Sequence, residues 1–183
     1  GKNRGGDLNL LKTVGKSLGF GVEEISKQLV EDIAVSSTKI RLALTTGDIT
    51  TATSLLGHSY SITGIVVKGS QLGHSLGYPT ANIRVQDLLK LVPDNGVYAV
   101  QVKIRGKCYK GMLNIGMRPT VSATVATRSI EVHVFDFNQN IYGESITVLP
   151  IKLLRREKKF TDLAALSAQL DLDKRQSLQI LAP

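Results

Sequence analysis

The sequence lacks the features that mark several special classes of protein. Its single cysteine, Cys108, excludes an internal disulfide framework and fits a reducing compartment. It has no tryptophan, and its apolar runs are far shorter than the roughly 18 residues that a membrane-spanning helix needs. No low-complexity tract is present, and no signal-peptide pattern opens the chain. These absences predict an ordered cytoplasmic protein without a membrane partner.

Positive charge is in excess, with 23 Lys and Arg residues against 15 Asp and Glu residues. A basic surface attracts nucleic acid, anionic membranes or nucleoside phosphates, so charge alone does not choose among these partners. The basic residues are spread along the chain, apart from short clusters at 2–4 and 155–159. A solvated basic face explains this distribution as well as a binding surface does.

Hydrophobic periodicity divides the chain near residues 57–60. Before that point, helical spacing predicts three helices with capping residues and terminal glycines. The caps and glycines are Asp7 with Gly19, Ser36–Ser37 with Gly47, and Asp48 with Gly57. From Tyr60 the period becomes two, and turn signals such as Asn95-Gly96 separate five or six strands. Closely spaced strands favour an antiparallel barrel. After Phe160, Thr161 is expected to cap a helix, and a last helix to follow from about Asp173.

Three glycines, Gly69, Gly73 and Gly77, are spaced by four directly after a predicted strand. Glycine lets backbone N–H groups approach an anion such as a phosphate. The segment is not a Walker A loop, because Gly-Lys-Ser/Thr is missing and no helix signal follows. A simple hairpin turn explains the same glycines, so this signal is weak alone.

Thr80 and Asn82 follow the glycines, and in an extended stretch they project to the same side. Pro79 favours that extended conformation for the residue before it. A hydroxyl and an amide oxygen can suffice for Mg²⁺ that is bound to a nucleotide, because water and phosphates supply its other ligands. Local turn hydrogen bonds are the alternative. Together with the glycines, the metal-binding interpretation is favoured.

Glu131 lies in the middle of an otherwise apolar strand segment. It shares a strand face with His133 and Phe135, and this mixed face favours a cleft over bulk water. A carboxylate in a cleft can accept the proton of a substrate hydroxyl during phosphoryl transfer. His133 is expected either to orient Glu131 or merely to pack. The charged run at 155–160 is explained mostly as a solvated cap, although one arginine could bind phosphate in a bidentate manner.

Six segments, in the expected order, resemble the riboflavin kinase family. They are 69–82, 96–100, 114–120, 131–137, 142–143 and 155–160. The resemblance covers 58–183 and implies a six-stranded antiparallel Greek-key barrel with a C-terminal helix. It also implies transfer of the γ-phosphoryl group of ATP to the 5′-hydroxyl of riboflavin, with Mg²⁺ as cofactor and FMN and ADP as products.

The resemblance also implies roles for individual residues. Glu131 would be the general base, while Arg118 and Arg155 would lie near the flavin or at the edge of the active site. Family members often have Arg or Lys where this chain has His74, so no permanent positive charge is expected there. The nucleotide-binding positions are Gly69, Gly73, His74, Gly77, Thr80 and Asn82, of which Thr80 and Asn82 would also contact the metal.

Residues 1–57 resemble the end of the FMN adenylyltransferase domain that precedes this kinase in bacterial bifunctional FAD synthases. The segments that carry this resemblance are 1–7 and 35–41, and they imply a mostly helical remnant of an α/β nucleotidyltransferase domain. That family needs a His-x-Gly-His motif, which is absent here. FAD formation is therefore expected only of a longer parent protein. The implied phosphate-binding residues are Ser36, Ser37, Thr38 and Arg41, although a capped amphipathic helix explains them equally well.

Two other functions are alternatives to the kinase. A basic barrel that binds nucleic acid would stack bases on aromatic side chains, which are few and dispersed here. A non-catalytic flavin sensor would tolerate the loss of Glu131 or Thr80, and both are present. The expected partners are riboflavin or FMN and ATP or ADP, without nucleic acid. The sequence does not predict the oligomeric state.

Overall fold

The computed structural model describes two compact units that divide between residues 35 and 36. The described residues are 7–24, 29–30, 33–34, 36–69, 73, 76–118 and 127–182. In the first unit, helix α1 spans Leu8–Leu18, and strands β1 (Leu29–Val30) and β2 (Ile33–Ala34) pair in an antiparallel manner. Asp7 caps α1 and Gly19 ends it, as the sequence predicts.

The second unit begins with two short helices whose ends also follow the prediction. Helix α2 spans Ser37–Thr46 and helix α3 spans Ile49–Leu56. The side chains of Ser36 and Asp48 accept hydrogen bonds from backbone N–H groups of the first turns. Gly47 and Gly57 end the helices in the left-handed conformation, where glycine has no Cβ to clash.

Six antiparallel strands of the second unit form a closed barrel, which confirms the predicted fold. They are β3 (Ile62–Val67), β4 (Ala81–Val85), β5 (Gly96–Ile104), β6 (Lys107–Arg118), β7 (Thr127–Val134) and β8 (Ser145–Arg155). Their order around the barrel is β3-β4-β7-β6-β5-β8. Strand β4 therefore lies beside β7 instead of β5, which is a Greek-key arrangement.

Alternation along the strands fills the barrel with apolar side chains and turns the polar ones outward. Tyr98 is fully buried, and its hydroxyl donates to the backbone oxygen of Asp94 at 2.6 Å. Because Ile130 and Val132 belong to the buried core, Glu131 between them faces the outside of the barrel. Other core residues of the strands are Ile62, Val66, Val100, Val102, Leu113, Ile115, Ile146 and Val148.

Helix α4 spans Leu163–Ile180 and packs on β5, β6 and β8. The predicted N-cap of this helix and the predicted start of a new helix near Asp173 are both wrong. Asp162, not Thr161, is the N-cap, and it accepts from the N–H of Ala165 at 2.8 Å. A carboxylate suits the positive end of the helix dipole, and the Thr161 hydroxyl donates to that carboxylate instead. The helix also continues through Asp173, because no glycine or proline interrupts it. None of the described helices combines the length and hydropathy needed to cross a bilayer.

The hydrophobic core joins α2 and α3 to the barrel. Leu44, Ile49 and Ala52 belong to the same buried cluster as Ile62 and Tyr98. The compact unit thus includes 22 residues, from 36 to 57, that the predicted boundary assigns to the preceding domain. Compactness and ancestry are different properties, so the division into 1–57 and 58–183 remains a prediction.

Replacing Leu44 with alanine tests this packing. Leu44 is 2% exposed, so Leu44→Ala should lower the free energy of unfolding by about 2–5 kcal/mol, because a core cavity replaces lost contacts. Leu42→Ala is the matched control, since Leu42 lies on the same helix and is 62% exposed. Chemical denaturation of both variants provides the measurement. Equal effects of the two substitutions would contradict the shared core.

Candidate active site

Strand pairing brings Glu131 beside two asparagines on the outside of the barrel. In the register of β7 with its neighbours, Asn82 of β4 lies opposite Glu131 on one side and Asn114 of β6 lies opposite it on the other. Directly opposed residues of neighbouring strands point to the same face of a sheet. A carboxylate and two carboxamides therefore form one polar row, which the barrel continues through Val97 to Arg155.

Thr80 adds a hydroxyl group to this row. It directly precedes β4, and its Oγ1 lies 3.3 Å from Oε2 of Glu131, to which it donates a hydrogen bond. Thr80 and Asn82 come from the same extended segment, as the sequence predicts. The structure thus brings the predicted metal-binding pair and the predicted general base together. Their roles remain predictions.

The glycine segment packs tightly against this polar row. A Cβ atom added to Gly69 would lie 2.0 Å from Nδ2 of Asn82, so only glycine leaves room for that carboxamide. The carbonyl oxygen of Gly73 accepts a hydrogen bond from the N–H of Tyr78 at 2.8 Å, which closes the turn before Thr80. Gly77 has a φ of 78°. His74 lies outside the described residues.

A cavity of about 420 Å³ separates this face of the barrel from α4. The polar row forms one part of its wall, through Thr80, Glu131, Asn114 and Arg155. Apolar side chains form much of the rest, and they are Leu76, Met112, Met117, Phe160, Leu166 and Leu170. Such a wall suits a ligand with a flat apolar part and a hydroxylated part.

A second cavity of about 150 Å³ opens beside the first. It is lined by Val66, by the segment 79–81 and by the loop 137–142 that follows β7. Thr80 is the residue that lines both cavities. Two ligands bound in the two cavities would therefore both lie next to Thr80, and the ligand in the larger cavity would also lie next to Glu131.

Arg155 is held by a buried carboxylate on α4. Its Nη2 lies 2.7 Å from Oδ2 of Asp173, and its Nε lies 3.0 Å from each carboxylate oxygen. Asp173 is fully buried, and Gln169 donates a further hydrogen bond to it at 2.9 Å. The guanidinium group also lies 5.6 Å from the ring of Phe160. Arg155 lines the cavity, and its charge is already paired.

Tyr78 links the segment before Thr80 to the same helix. Its ring is buried, and its hydroxyl donates to Oδ1 of Asp171 on α4. Burial first, and then the hydrogen bond to Asp171, raise the pKa of Tyr78 to about 12. The hydroxyl therefore remains protonated and able to donate throughout the neutral range. This hydrogen bond thus joins α4, which forms one wall of the larger cavity, to the segment that carries Thr80 and Asn82.

The other residues implied by the resemblance come from β6 and α2. Arg118 is the last residue of β6 and lies opposite Thr127 in the register. Ser36 caps α2, and Ser37, Thr38 and Arg41 are exposed on its first turns. Among the described residues that line the two cavities, none comes from α2.

Sequence reasoning did not assign a role to Asn114, Asp171 or Asp173. Asn114 could have been found from the strand pairing, because it lies in a predicted strand next to that of Glu131. A second signal was the spacing of Leu166, Leu170 and Asp173, which places a carboxylate on the apolar face of α4. A buried carboxylate needs a cation or donors, so Asp173 predicts a partner such as Arg155.

Comparison with known proteins adds an independent finding. The family model described as "Flavokinase: Riboflavin kinase" matches residues 56–181. The chain belongs to the riboflavin kinase family. This membership agrees with the barrel, with the C-terminal helix and with the resemblance on which the sequence analysis relied. It also favours the kinase over the two alternative functions.

The curated relatives are longer than this chain. A bifunctional riboflavin kinase/FMN adenylyltransferase of Bacillus subtilis (strain 168) is 39% identical over 160 residues, which are 87% of this chain and 50% of that protein. The protein of the same name from Pseudomonas fluorescens is 37% identical over 183 residues, which are 100% of this chain and 58% of that protein. The chain spans about half the length of the curated relatives it matches.

A solved structure gives a close match of the fold. The crystal structure titled as a macrolide-efflux protein from Streptococcus pneumoniae superposes with a TM-score of 0.77 at 35% identity. The match covers 84% of this chain and 49% of that one. The function named in that title is a statement about the other protein. For this chain, the match supports the fold on which the polar row is arranged.

Replacing Asp173 with asparagine tests whether the buried ion pair holds α4 on the barrel. Asp173→Asn should lower the free energy of unfolding by about 3–5 kcal/mol, because it leaves the partly buried Arg155 without its counter-charge. Glu144→Gln is the matched control: it removes the partner of Arg105 at an exposed site and should have little effect. Denaturant titration measures both. A negligible effect of Asp173→Asn would contradict the structural role of the pair.

Proposed function

We propose that this chain transfers the γ-phosphoryl group of ATP to the 5′-hydroxyl of riboflavin, giving FMN and ADP. The observation that carries the proposal is the position of Thr80. Its hydroxyl lies 3.3 Å from the Glu131 carboxylate, and the residue lines both cavities. A two-substrate transfer needs such a meeting point, because the reacting atoms must come into contact in a fixed orientation. Membership of the riboflavin kinase family supports this assignment.

The larger cavity is the proposed riboflavin site. Met112, Met117 and Phe160 offer apolar contacts for a flat ring system. Glu131 and Asn114 offer hydrogen-bonding groups for a hydroxylated chain. A flavin bound with its ring against the apolar wall would therefore extend its ribityl chain toward Glu131.

The smaller cavity and the glycine segment form the proposed nucleotide site. Backbone N–H groups of a glycine segment can bind phosphates. Gly73 lines the larger cavity, and the loop 137–142 lines the smaller one. The terminal phosphate of a nucleotide bound there would lie near Thr80. The positions implied by the resemblance, including His74, remain proposals for the phosphate contacts.

Mg²⁺ is the proposed metal, and the residues present fit it. Thr80 and Asn82 supply neutral hard oxygens on one side of an extended segment, next to the Glu131 carboxylate. The residues that the structure describes contain no cluster of three or more His, Cys, Asp or Glu side chains. That composition suits an ion that arrives with the nucleotide and takes most of its ligands from phosphate and water. The bound ion would neutralise negative charge on the phosphates.

In the proposed reaction, Glu131 accepts the proton of the riboflavin 5′-hydroxyl while that oxygen attacks the γ-phosphorus atom. The bond from phosphorus to the bridging oxygen breaks, and ADP leaves. The Thr80 hydroxyl holds the carboxylate in place through its hydrogen bond. Phosphoryl transfer depends mainly on positioning and on charge stabilisation, and the strand-based site supplies the positioning.

Properties of a longer parent protein are separate proposals. The two relatives carry FMN adenylyltransferase in their names, and this chain spans about half of each. We expect FAD formation only of a parent that contains the rest of such a protein. Ser36, Ser37, Thr38 and Arg41 remain proposed phosphate-binding residues of that part. A cytoplasmic location, and the absence of nucleic-acid and membrane partners, also remain predictions.

Replacing the proposed general base tests the assignment directly. Glu131→Gln keeps the size of the side chain but removes its basicity, so kcat for FMN formation should fall by about 10²–10⁴-fold. Binding of riboflavin and Mg-ATP should persist. Glu24→Gln, which changes an exposed carboxylate of the first unit, should leave the rate unchanged. FMN production near the wild-type rate by Glu131→Gln would remove Glu131 from the mechanism.

A double substitution tests the metal-binding pair. Thr80→Ala with Asn82→Ala should raise the concentration of Mg-ATP needed for half-maximal rate, because both neutral oxygens are lost. Thr63→Ala is a suitable control, since this exposed threonine of β3 is hydrogen-bonded to Thr147 and lines neither cavity. Titration with Mg²⁺ at fixed ATP measures the effect. An unchanged titration would exclude the proposed metal role.

A further inference from the structure

The pairing between β4 and β7 stops short of the residue that brings the proposed reactive groups together. The two pairs in the register are Asn82 with Glu131 and Ala81 with Val132. One step further along, Thr80 and Pro79 approach the end of β7. Proline has no N–H group, so it cannot donate a ladder hydrogen bond there. The position of Thr80 therefore needs another constraint.

The side chain of His133 supplies a hydrogen bond at this point. Its Nδ1 lies 2.7 Å from the carbonyl oxygen of Pro79. The bond joins the residue directly before Thr80 to the residue two positions after Glu131. It thus spans the same two segments as the hydrogen bond between Thr80 and Glu131, and lies next to it.

The imidazole ring has a fixed orientation. His133 is 8% exposed. Its ring contacts the ring of Tyr78 edge to face, with a centroid distance of 5.2 Å and an interplanar angle of 65°. The ring of Phe135 lies on another side, at 5.5 Å and 60°. Aromatic contacts of this geometry are favourable and restrict rotation of the ring.

The hydrogen bond also fixes the tautomer of the ring. A carbonyl oxygen only accepts, so Nδ1 must carry the proton. Burial lowers the pKa of His133; the Pro79 hydrogen bond and Asp136 oppose this shift, while Lys174 adds to it. The imidazole is therefore neutral at neutral pH, with a proton on Nδ1 and none on Nε2.

We propose that His133 is a positioning residue for phosphoryl transfer, because its Nδ1–H bond to the Pro79 carbonyl holds the Thr80 hydroxyl beside Glu131. The kinetic consequence rests on the proposed kinase function, whereas the hydrogen bond and the tautomer do not. If the ring served only to fill space, either nitrogen could carry the proton. The two possibilities therefore differ in what side chains can replace histidine.

Two amide substitutions separate these possibilities. In His133→Asn the amide nitrogen is attached as Nδ1 is, so it can still donate to Pro79. In His133→Gln the amide nitrogen reaches the place of Nε2, and the donor to Pro79 is lost. We expect His133→Gln to lower kcat by about 10–100-fold, with little change in KM for either substrate, because small misplacements of reacting groups are costly. His133→Asn should retain most of the wild-type kcat.

Thermal unfolding of each variant shows whether a lower kcat merely reflects lost stability. Ile146→Val is the control, since it removes a methyl group from the buried core of β8 and contributes to neither cavity. It should lower Tm with kcat unchanged. Equal kcat values for the Asn and Gln variants, or an effect that follows Tm alone, would overturn the positioning role.

A measurement on the wild-type protein needs neither a variant nor catalysis. Nitrogen-15 NMR of the histidine rings should show His133 protonated at Nδ1 and unprotonated at Nε2 at neutral pH. A ring with its proton on Nε2 would refute the hydrogen bond to Pro79 and, with it, the proposal. If the wild-type chain made no FMN, the proposed function would fail, while the tautomer would still report on the hydrogen bond.

Discussion

The pairing of β7 with β4 on one side and β6 on the other determines where chemistry can occur in this protein. Because β7 is central to three adjacent strands, Glu131 has Asn82 and Asn114 as direct cross-strand neighbours. The barrel is closed, so the register of these strands cannot slip without moving apolar side chains out of the core. The proposed site is thus built on paired strands whose register the core fixes.

Helix α4 depends on the same face of the barrel. It covers the larger cavity and is attached at two points, through Arg155 with Asp173 and through Tyr78 with Asp171. Both attachments come from residues that also line the cavity. Arg155 and Tyr78 therefore both line the proposed flavin site and attach the helix to the barrel. Arg155, a charged group of this wall, is already paired with a carboxylate.

Much of this arrangement could be predicted from the sequence, for physical reasons. Period-two alternation predicts that Glu131 lies in the middle of a strand, and in the structure it lies within β7, Thr127–Val134. Helix caps such as Ser36 and Asp48 depend only on residues nearby in the sequence, so the sequence predicts them. The predicted cap of α4 is wrong by one residue. Thr161 and Asp162 are neighbours that can both cap a helix, and the carboxylate is the better acceptor.

Long-range pairings could not be read in the same way. Single-residue patterns do not reveal that Asp173 lies against Arg155, or that His133 bonds to Pro79, because each pair is distant in sequence and joined only by the barrel. For that reason, the sequence predicts the start of a new helix at about Asp173, where the structure has a buried aspartate. The position of Asn114 gains significance only from the strand register, which places it beside Glu131.

The measurement that tests the central claim most directly is product formation by the chain itself. The 183-residue chain is incubated with riboflavin, ATP and Mg²⁺, and the flavins and nucleotides are separated by chromatography, with a chelator-treated sample as control. The account predicts FMN and ADP in equal amounts, and neither without the metal. A folded chain that binds both substrates yet forms no FMN would contradict it.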